Sequence, residues 1–396
     1  MGKYDFDLIN GPINIARVEG KINGIKKVLY LFMDYHLEVH DQSKCDSFDS
    51  IDFQNFLSIE FKKMTNDKIL DFFFEANRNL DSWLPPLHYR KKYILEVFKY
   101  FHHNIKLEGR KVLGTKVSKN IRFHYADIRN YTDLFMEIPI HQMLSHMNSV
   151  LHSDKPYIND AINVFKSLIT KIHYDNDNFI SLYNANNKGK KAVVQEDITS
   201  PESLAYILYK IKHSYNNKNI INKLTPLFDY IKVLNDKITE VIDKIEKKLK
   251  IVENTYIPFG VLRQYSTKDY GYHPDIAEIM IYFAEINNYL VLLSNFDTDR
   301  MAVLMDIYFI RRFTDKDYIV NGVAYTGINH SCRYIYTLIN QFDFKLTHIY
   351  YSKYPIEKCM EILKKTSKIT NVIYELFFPQ ELKQCIDISK FPSNFT

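Results

Sequence analysis

Short runs of large apolar residues, separated by polar turns, organise this chain and predict its elements. The clearest run is 28–33, which lies between Lys27 and Asp34, is too short for a typical helix and is rich in strand-forming residues. Similar runs predict strands at 69–74, 121–129, 317–324 and 345–351. Apolar residues three or four positions apart predict helices near 51–65, 93–105 and 331–341.

The middle of the chain has a different pattern, which is helical throughout. Amphipathic segments lie near 134–150, 157–173, 201–215, 226–252, 274–294 and 299–313. The most regular segment, 226–252, carries Leu227, Ile231, Leu234 and Ile238 at the spacing of coiled-coil packing. This helix indicates either a long helical hairpin inside the domain or a contact between two copies of the chain.

The order of these elements predicts an α/β fold. Strands that alternate with helices favour right-handed crossovers and a mostly parallel sheet, here of about five strands flanked by helices. A large helical insertion separates the third and fourth predicted strands. We therefore expect residues 1–133 to form the first half of the α/β core, 134–313 a helical insertion or cap, and 314–396 the second half with a C-terminal tail.

Composition and charge exclude little. The 396 residues include 52 Lys and Arg against 47 Asp and Glu, and a net charge of +5 gives no case for specific nucleic-acid binding. The Lys-rich stretches 188–191 and 244–250 are the only arguments for such binding, and charge runs of this kind are usually solvated. We expect no secretory signal, because the first residues lack a basic region followed by an apolar core. We expect no membrane span, because no apolar run approaches 18 residues.

The four cysteines show neither C-x-x-C spacing nor the density of a disulfide scaffold. This pattern predicts free thiols in a reducing compartment. The residues concerned are Cys45, Cys332, Cys359 and Cys385.

Ionisable side chains follow the predicted strands. Asp34 and His36 end the first strand, where a spacing of two would point both to one face, and Glu75 follows the second. His330 comes three residues after Gly327, at the end of the fourth strand, and this glycine would let the backbone turn sharply. If the strands are parallel, these ends meet at one edge of the sheet.

The third predicted strand is unusually rich in ionisable groups, namely Arg122, His124, Asp127 and Arg129. Arg129 could pair with a carboxylate of the site, whereas Arg122 and Asp127 could form a surface pair. An edge with several imidazoles and carboxylates can bind a divalent metal or perform acid–base chemistry.

This set of strand ends resembles the superfamily that joins erythromycin esterases, haem-uptake lipoproteins of the ChaN type and the TIKI/TraB proteases. Those proteins are α/β, with G-x-x-H or G-E-x-H ending the first strand, a Glu after the second, an Arg near the third and a later G-x-x-H. Residues 327–330, Gly-Ile-Asn-His, match the late motif, and the resemblance covers about half of the chain.

The other positions match in part. Glu75 matches the Glu by its place, His36 matches the first His, and Arg129 or Arg122 could be the Arg. Met33 stands where the superfamily has Gly, and Asp34 where the esterases have Glu.

The resemblance implies a hydrolase of ester or peptide bonds, acting on a small molecule or a peptide. His36 and His330 would be ligands of a divalent metal or general bases. Asp34 or Glu75 would activate water or orient a histidine, and Arg129 would hold a developing oxyanion.

A second hypothesis comes from another class. The composition and strand pattern resemble uncharacterised proteins of large DNA viruses of protists, which implies the host cytoplasm or the virion. The protein would then be a catalytically inactive binding or virion-associated structural component. Met33, the helical insertion and the many Tyr and Phe residues favour it.

Overall fold

The computed structural model describes eleven stretches of the chain. They are residues 6–39, 43–64, 69–75, 92–108, 111–115, 119–128, 136–152, 158–185, 204–254, 274–366 and 371–395. Two compact units form, one from 1–129, 215–224 and 305–396, and the other from 130–214 and 225–304. The division at residues 133 and 313 stays a prediction, because packing into units does not show which segments fold independently.

Three sheets lie in the described part of the first unit. The strands are β1 Leu8–Asn10, β2 Asn14–Ile22, β3 Ile25–Asp34, β4 Ile51–Asp52, β5 Leu70–Phe74, β6 Ile105–Glu108, β7 Lys111–Thr115, β8 Ile121–Tyr125, β9 Asn321–Gly327, β10 Lys345–Ile349 and β11 Cys385–Asp387. The main sheet has six strands in the order β10-β2-β3-β9-β5-β8. Strands β3, β9, β5 and β8 are parallel, so their carboxyl ends meet at one edge.

The helices of the first unit are α1 Phe53–Lys63, α2 Tyr93–His102, α8 Ile328–Phe342, α9 Ile356–Lys365 and α10 Asn371–Phe377. The remaining helices are α3 Glu137–His152, α4 Ile158–Ala185, α5 Leu204–His213, α6 Lys218–Asn254 and α7 Pro274–Asp315. Helix α7 is continuous where the pattern predicts two segments.

The fold is a mixed α/β fold with a largely parallel main sheet, as expected, but its details differ. Strand β2 lies in a segment where the apolar runs predict no strand, because its polar residues hide the strand pattern. It pairs antiparallel with β3 across the Asn23-Gly24 turn, whose residues have φ of 50° and 81°. The main sheet therefore has six strands instead of about five, with an antiparallel hairpin inserted at one side.

An aromatic core holds one face of the main sheet. Phe32 and Phe72 from the strands pack against Phe53 of α1 and Phe101 of α2, and the ring of Tyr325 stacks on Phe53 at 4.4 Å. Each such ring contributes about 1.5–3 kcal/mol by leaving water. This packing keeps the ends of β3, β5 and β9 in fixed register.

The helical unit has its own core, built from α3, α4, α6 and α7. Ile238, Ile242 and Ile245 of α6 are buried there, as the three-four spacing predicts. Arg300 is buried in the same unit and donates hydrogen bonds to Asp297 at 2.6 Å and Asn176 at 2.8 Å. Oligomerisation through helix 226–252 stays a prediction.

The prediction of four free thiols is wrong for one pair. Cys45 and Cys385 form a disulfide, while Cys332 and Cys359 are free and buried. The partners are 340 residues apart and meet because β11 pairs antiparallel with β1, whose Asn10 lies opposite Cys385. Asn10 also accepts a hydrogen bond from the Cys45 amide at 2.8 Å. Spacing in the sequence cannot reveal such a pair.

No helix in the described stretches is long and apolar enough to cross a membrane.

Candidate active site

Asp34 and His36 form the first half of a cluster at the carboxyl edge of the main sheet. Strand β3 ends at Asp34, and His36 follows with a positive φ of 58°. The spacing argument from a continuous strand is therefore wrong, because the strand has ended before His36. The side chains meet instead through this turn: the backbone N–H and the ring Nδ1 of His36 each lie 2.6 Å from Asp34 Oδ2.

Tyr325 of β9 fixes the other oxygen of the same carboxylate. Its hydroxyl donates to Asp34 Oδ1 at 2.8 Å, and both side chains are buried. Burial raises the pKa of Tyr325 well above its usual value, with a further contribution from the Asp34 charge. The phenol therefore stays protonated and keeps Asp34 oriented toward His36.

Glu75 lies between the two halves of the cluster. It follows β5 directly, its side chain is 3% exposed, and its Oε2 accepts the backbone N–H of Gly327 at 2.6 Å. The other oxygen, Oε1, lies 3.7 Å from His36 Nε2 and 3.4 Å from His330 Nε2. One buried carboxylate oxygen thus faces two imidazoles.

His330 and Asp306 repeat the pairing of His36 and Asp34. His330 lies in the first turn of α8, and its Nδ1 is 2.6 Å from Asp306 Oδ1 of α7. Arg333, one turn further along α8, places its Nε 3.1 Å from Asp306 Oδ2. Because a carboxylate only accepts, each histidine carries a proton on Nδ1 and presents Nε2 to the site.

Gly327 is needed for space and not for a turn. Its φ is −55°, which any residue can adopt, so the expected sharp turn is absent. A Cβ at this position would lie 2.9 Å from His36 Nε2 and 3.4 Å from Glu75 Oε2. The missing side chain therefore lets the His36 ring approach the sheet.

The charge of His36 is set by its two carboxylate neighbours. Burial alone would lower its pKa, but hydrogen bonds to Asp34 and Glu75, together with their charges, raise it from 6.5 to about 10. His36 is therefore an imidazolium at neutral pH. About a third of its side chain is exposed (34%), so a ligand can reach it. We call Asp34, His36, Glu75, Asp306 and His330 the carboxyl-edge cluster.

A second group of ionisable residues, the Asp71 cluster, lies further back along the strands. Asp71 accepts hydrogen bonds from Arg122 Nε at 2.7 Å and Nη2 at 2.7 Å, and it lies 2.6 Å from His124 Nε2. The other nitrogen of His124, Nδ1, accepts from Arg312 Nε at 2.9 Å. Burial, together with the Arg312 charge, lowers the pKa of His124 despite Asp71.

The predicted site residues thus separate into two sets. The structure brings Asp34, His36, Glu75 and His330 together, whereas Arg122 belongs to the Asp71 cluster. Arg129 lies outside the described residues.

The sequence patterns do not predict three further residues of the site, namely Asp306, Arg333 and Tyr325. Asp306 is a single acid in an apolar stretch of α7, and Arg333 follows His330 by three on a helix, which are the only signals that the sequence offers.

The expected divalent metal at His36 and His330 stays a prediction. Among the described residues, no group of three or more His, Cys, Asp or Glu side chains is arranged to hold a metal ion. Both Nδ1 atoms are backed by carboxylates, as they are in histidines that bind metals, but the same backing serves acid–base catalysis.

Comparisons with known proteins give a family. A model of the family of unknown function DUF5847 matches residues 7–396. Uncharacterized protein R161 of Acanthamoeba polyphaga mimivirus is 33% identical over 98% of each chain. Uncharacterized proteins R706 and R160 of the same virus are 32% and 33% identical over 98% of this chain and 97% of theirs. No solved structure matches.

The resemblance to the erythromycin esterase, ChaN and TIKI/TraB superfamily is therefore wrong. The family match spans nearly the whole chain and is to a family of unknown function, and the comparisons give no evidence for that superfamily. The resemblance rested on single residues at strand ends and on one G-x-x-H motif, which unrelated α/β proteins can share. The expected likeness to proteins of large DNA viruses is confirmed by the mimivirus relatives.

Proposed function

We propose that this chain, which belongs to the family of unknown function DUF5847, is a hydrolase that cleaves an ester or peptide bond by acid–base catalysis at the carboxyl edge of its main sheet. One observation carries the proposal. Two histidines, each backed by an aspartate through Nδ1, turn their Nε2 atoms toward the same oxygen of Glu75.

His330 is the general base in this proposal. Asp306 holds its Nδ1–H at 2.6 Å, which fixes the tautomer whose Nε2 can take a proton. Arg333 supports Asp306 from the other oxygen at 3.1 Å. Glu75 Oε1, 3.4 Å from this Nε2, holds the attacking water beside it.

His36 stabilises the developing oxyanion. Its pKa of about 10 keeps the ring protonated at neutral pH, so that it can stabilise negative charge on the carbonyl oxygen. In the first step, water gives a proton to His330, its oxygen bonds to the carbonyl carbon, and the π electrons of the C=O bond move to the carbonyl oxygen. In the second, the C=O bond forms again, the bond to the leaving group breaks, and His330 gives its proton to the leaving group. Both histidines then have their starting protonation states.

The second candidate is a catalytically inactive binding or virion-associated component of a large DNA virus. The comparisons are at least as consistent with this candidate as with a hydrolase, because the relatives come from a virus and none has a stated activity. A site of this kind would hold a polar ligand without turnover.

Hydrolysis by a His36→Ala/His330→Ala variant separates the two candidates. Wild type and variant are assayed against a panel of simple esters and peptides, with folding checked by circular dichroism. The matched control is His141→Ala/His146→Ala, which changes two exposed histidines of α3. Turnover that falls by about 10²-fold or more in the site variant alone supports catalysis. Equal turnover in all three proteins, or none in wild type, contradicts it and supports the second candidate.

Chelator treatment and elemental analysis of the same samples test whether a metal ion is bound and whether activity needs it. Loss of activity on metal removal, with a stoichiometric metal in wild type but not in the site variant, would place an ion at these histidines. The metal-free proposal expects activity to survive the chelator.

A further inference from the structure

The segment that follows His36 is joined to β11 by a disulfide and a backbone hydrogen bond. Cys45 lies between β3 and β4, as His36 does, and it is bonded to Cys385, the first residue of β11. Beside this bond, the carbonyl of Ser43 accepts the Gln384 amide at 3.1 Å. Strand β11 is itself paired with β1. The disulfide therefore fixes part of the segment that follows His36.

A path of hydrogen bonds connects this disulfide to His36. The amide of Cys45 donates to Asn10 Oδ1 at 2.8 Å, and the hydroxyl of Tyr93 donates to the Asn10 carbonyl at 3.3 Å. The backbone amide of Tyr93 donates to the carbonyl of Leu37, the residue directly after His36, at 3.2 Å. Asn10 and Tyr93 are buried, so water competes little for these bonds. We call Leu37, Tyr93, Asn10 and the disulfide the His36 tether.

His36 adopts a backbone conformation that needs support from its surroundings. Its φ of 58° lies in the left-handed region, which a residue with a side chain adopts only at a cost. In this conformation, its backbone N–H and its ring Nδ1 both lie 2.6 Å from Asp34 Oδ2. The carbonyl of the next residue, Leu37, belongs to the tether. The tether therefore stabilises the turn that brings the ring to Asp34 and Glu75.

We infer that the Cys45–Cys385 disulfide is a redox switch: its reduction loosens the His36 tether and lets the His36 ring leave its carboxylate partners. Removal of a cross-link frees conformations of the segments that it joins. The strained turn then loses the covalent part of its support, and the ring loses the contacts that keep it protonated. The effect on turnover rests on the proposed hydrolysis, whereas the change at His36 does not.

The reductant is a dithiol, and its thiolate attacks the sulfur of Cys45. Cys45 is half-buried and can be reached, whereas Cys385 is only 8% exposed. A mixed disulfide forms on Cys45, and Cys385 leaves as a thiolate that takes a proton. The second thiol then attacks the dithiol's own sulfur and releases Cys45 as a thiol. Two electrons and two protons have passed to the protein, and the dithiol has become a disulfide.

Titration of His36 by NMR tests the switch directly. The ring signals of wild type are followed against pH with and without dithiothreitol, and a His36→Gln variant assigns the signal. We expect a His36 pKa of about 10 in the oxidised protein. After reduction the pKa should be lower by at least about one, because weaker contacts with the two carboxylates stabilise the imidazolium less. Cys45→Ser/Cys385→Ser should show the lower pKa with and without dithiothreitol.

Gly322→Ala is the matched control for a general loss of stability. Its methyl group would disturb the core at the opposite end of β9 from the cluster. This variant should therefore be less stable than wild type but keep the His36 pKa of the oxidised protein. A His36 pKa that is the same before and after reduction overturns the switch. So does a pKa that falls equally in Gly322→Ala, or a reduced protein that circular dichroism shows to be unfolded.

Ester hydrolysis measures the consequence for turnover. Dithiothreitol should lower kcat of wild type about tenfold or more, because the group that stabilises the oxyanion is displaced, and reoxidation should restore it. Cys45→Ser/Cys385→Ser should not respond to dithiothreitol. If no ester is hydrolysed but the His36 pKa falls on reduction, the proposed hydrolysis fails and the switch stands. If esters are hydrolysed equally before and after reduction, the disulfide does not control the site.

Discussion

Two groups of histidines and carboxylates lie along the main sheet, and they differ in the hydrogen bonds that their ring nitrogens form. In the Asp71 cluster, His124 uses Nε2 on Asp71 and Nδ1 on Arg312, so both nitrogens are engaged. In the carboxyl-edge cluster, His36 and His330 each use only Nδ1 in a short hydrogen bond. Their Nε2 atoms stand 3.4–3.7 Å from Glu75.

Residue type alone therefore does not identify a site. His124, Arg122 and Asp71 have the composition of a catalytic group, but both nitrogens of His124 and both oxygens of Asp71 are in hydrogen bonds, as in a structural ion pair. In the carboxyl-edge cluster, the Nε2 atoms of two histidines converge on one oxygen of Glu75, and a third of the His36 side chain is exposed. Two ring nitrogens that converge at an edge within reach of a ligand are the feature that separates this cluster from the Asp71 cluster.

The largest expected effect is on stability and comes from Asp71→Ala. Removal of this carboxylate leaves Arg122 and His124 without their buried partner, which costs about 3–5 kcal/mol in free energy of unfolding. The measurement is urea unfolding. Turnover per folded molecule should not change, and a loss of turnover with unchanged stability would reverse the roles of the two clusters.

Loss of the disulfide should have the next largest effect on the free energy of unfolding. The bond between Cys45 and Cys385 closes a very long segment of chain. Cys45→Ser/Cys385→Ser should lower the free energy of unfolding by about 2–4 kcal/mol under non-reducing conditions. A reductant should destabilise wild type by a similar amount and leave the double variant unchanged. Equal responses of both proteins to the reductant would argue against this bond.

Two glycines of β9 separate an effect on turnover from an effect on stability. Gly327→Ala places a methyl group 2.9 Å from His36 Nε2, and the ring, which is one-third exposed, can move away. We expect turnover to fall about tenfold, with stability changed by less than about 1 kcal/mol.

The matched change at the other end of β9 is Gly322→Ala. Its methyl group would meet Leu29 at 3.0 Å and Phe313 at 3.2 Å in the core. This variant should lose about 1–3 kcal/mol of stability and keep its turnover per folded molecule. The same pattern in both variants would mean that Gly327 does not make room for a site.

The smallest effect concerns the pH dependence of stability. The folded-state pKa of His36 is raised from 6.5 to about 10, so its stabilising contribution is full below 6.5 and is lost as pH rises through 10. The unfolding free energies of wild type and His36→Ala should therefore differ more at about pH 6 than at about pH 10. The ring is one-third exposed, so solvent reduces the effect. A difference that grows with pH would contradict the assigned carboxylate contacts.

The strand ends could be predicted from the sequence because apolar runs mark β3, β5 and β9, and parallel strands end at one edge. That reasoning places His36, Glu75 and His330 together from the sequence alone. Asp306 could not be found in this way, because it lies within a long helix and meets His330 only through tertiary packing.

Other features could not be predicted from the sequence, for related physical reasons. Strand β2 carries polar residues that pair across the Asn23-Gly24 turn, so its pattern resembles a loop. Arg122 was a candidate because hydrogen-bond saturation by Asp71 cannot be seen in a sequence. The Cys45–Cys385 pair is formed by segments at opposite ends of the chain.

The most direct test of the account compares His330→Gln with His124→Gln in a single hydrolysis assay on the same ester. Both variants replace a buried histidine of this sheet unit that is bonded to an aspartate. We expect turnover per folded molecule to fall by about 10²-fold or more in His330→Gln and to stay within about twofold of wild type in His124→Gln. Equal losses in the two variants, or a loss in His124→Gln alone, would contradict it.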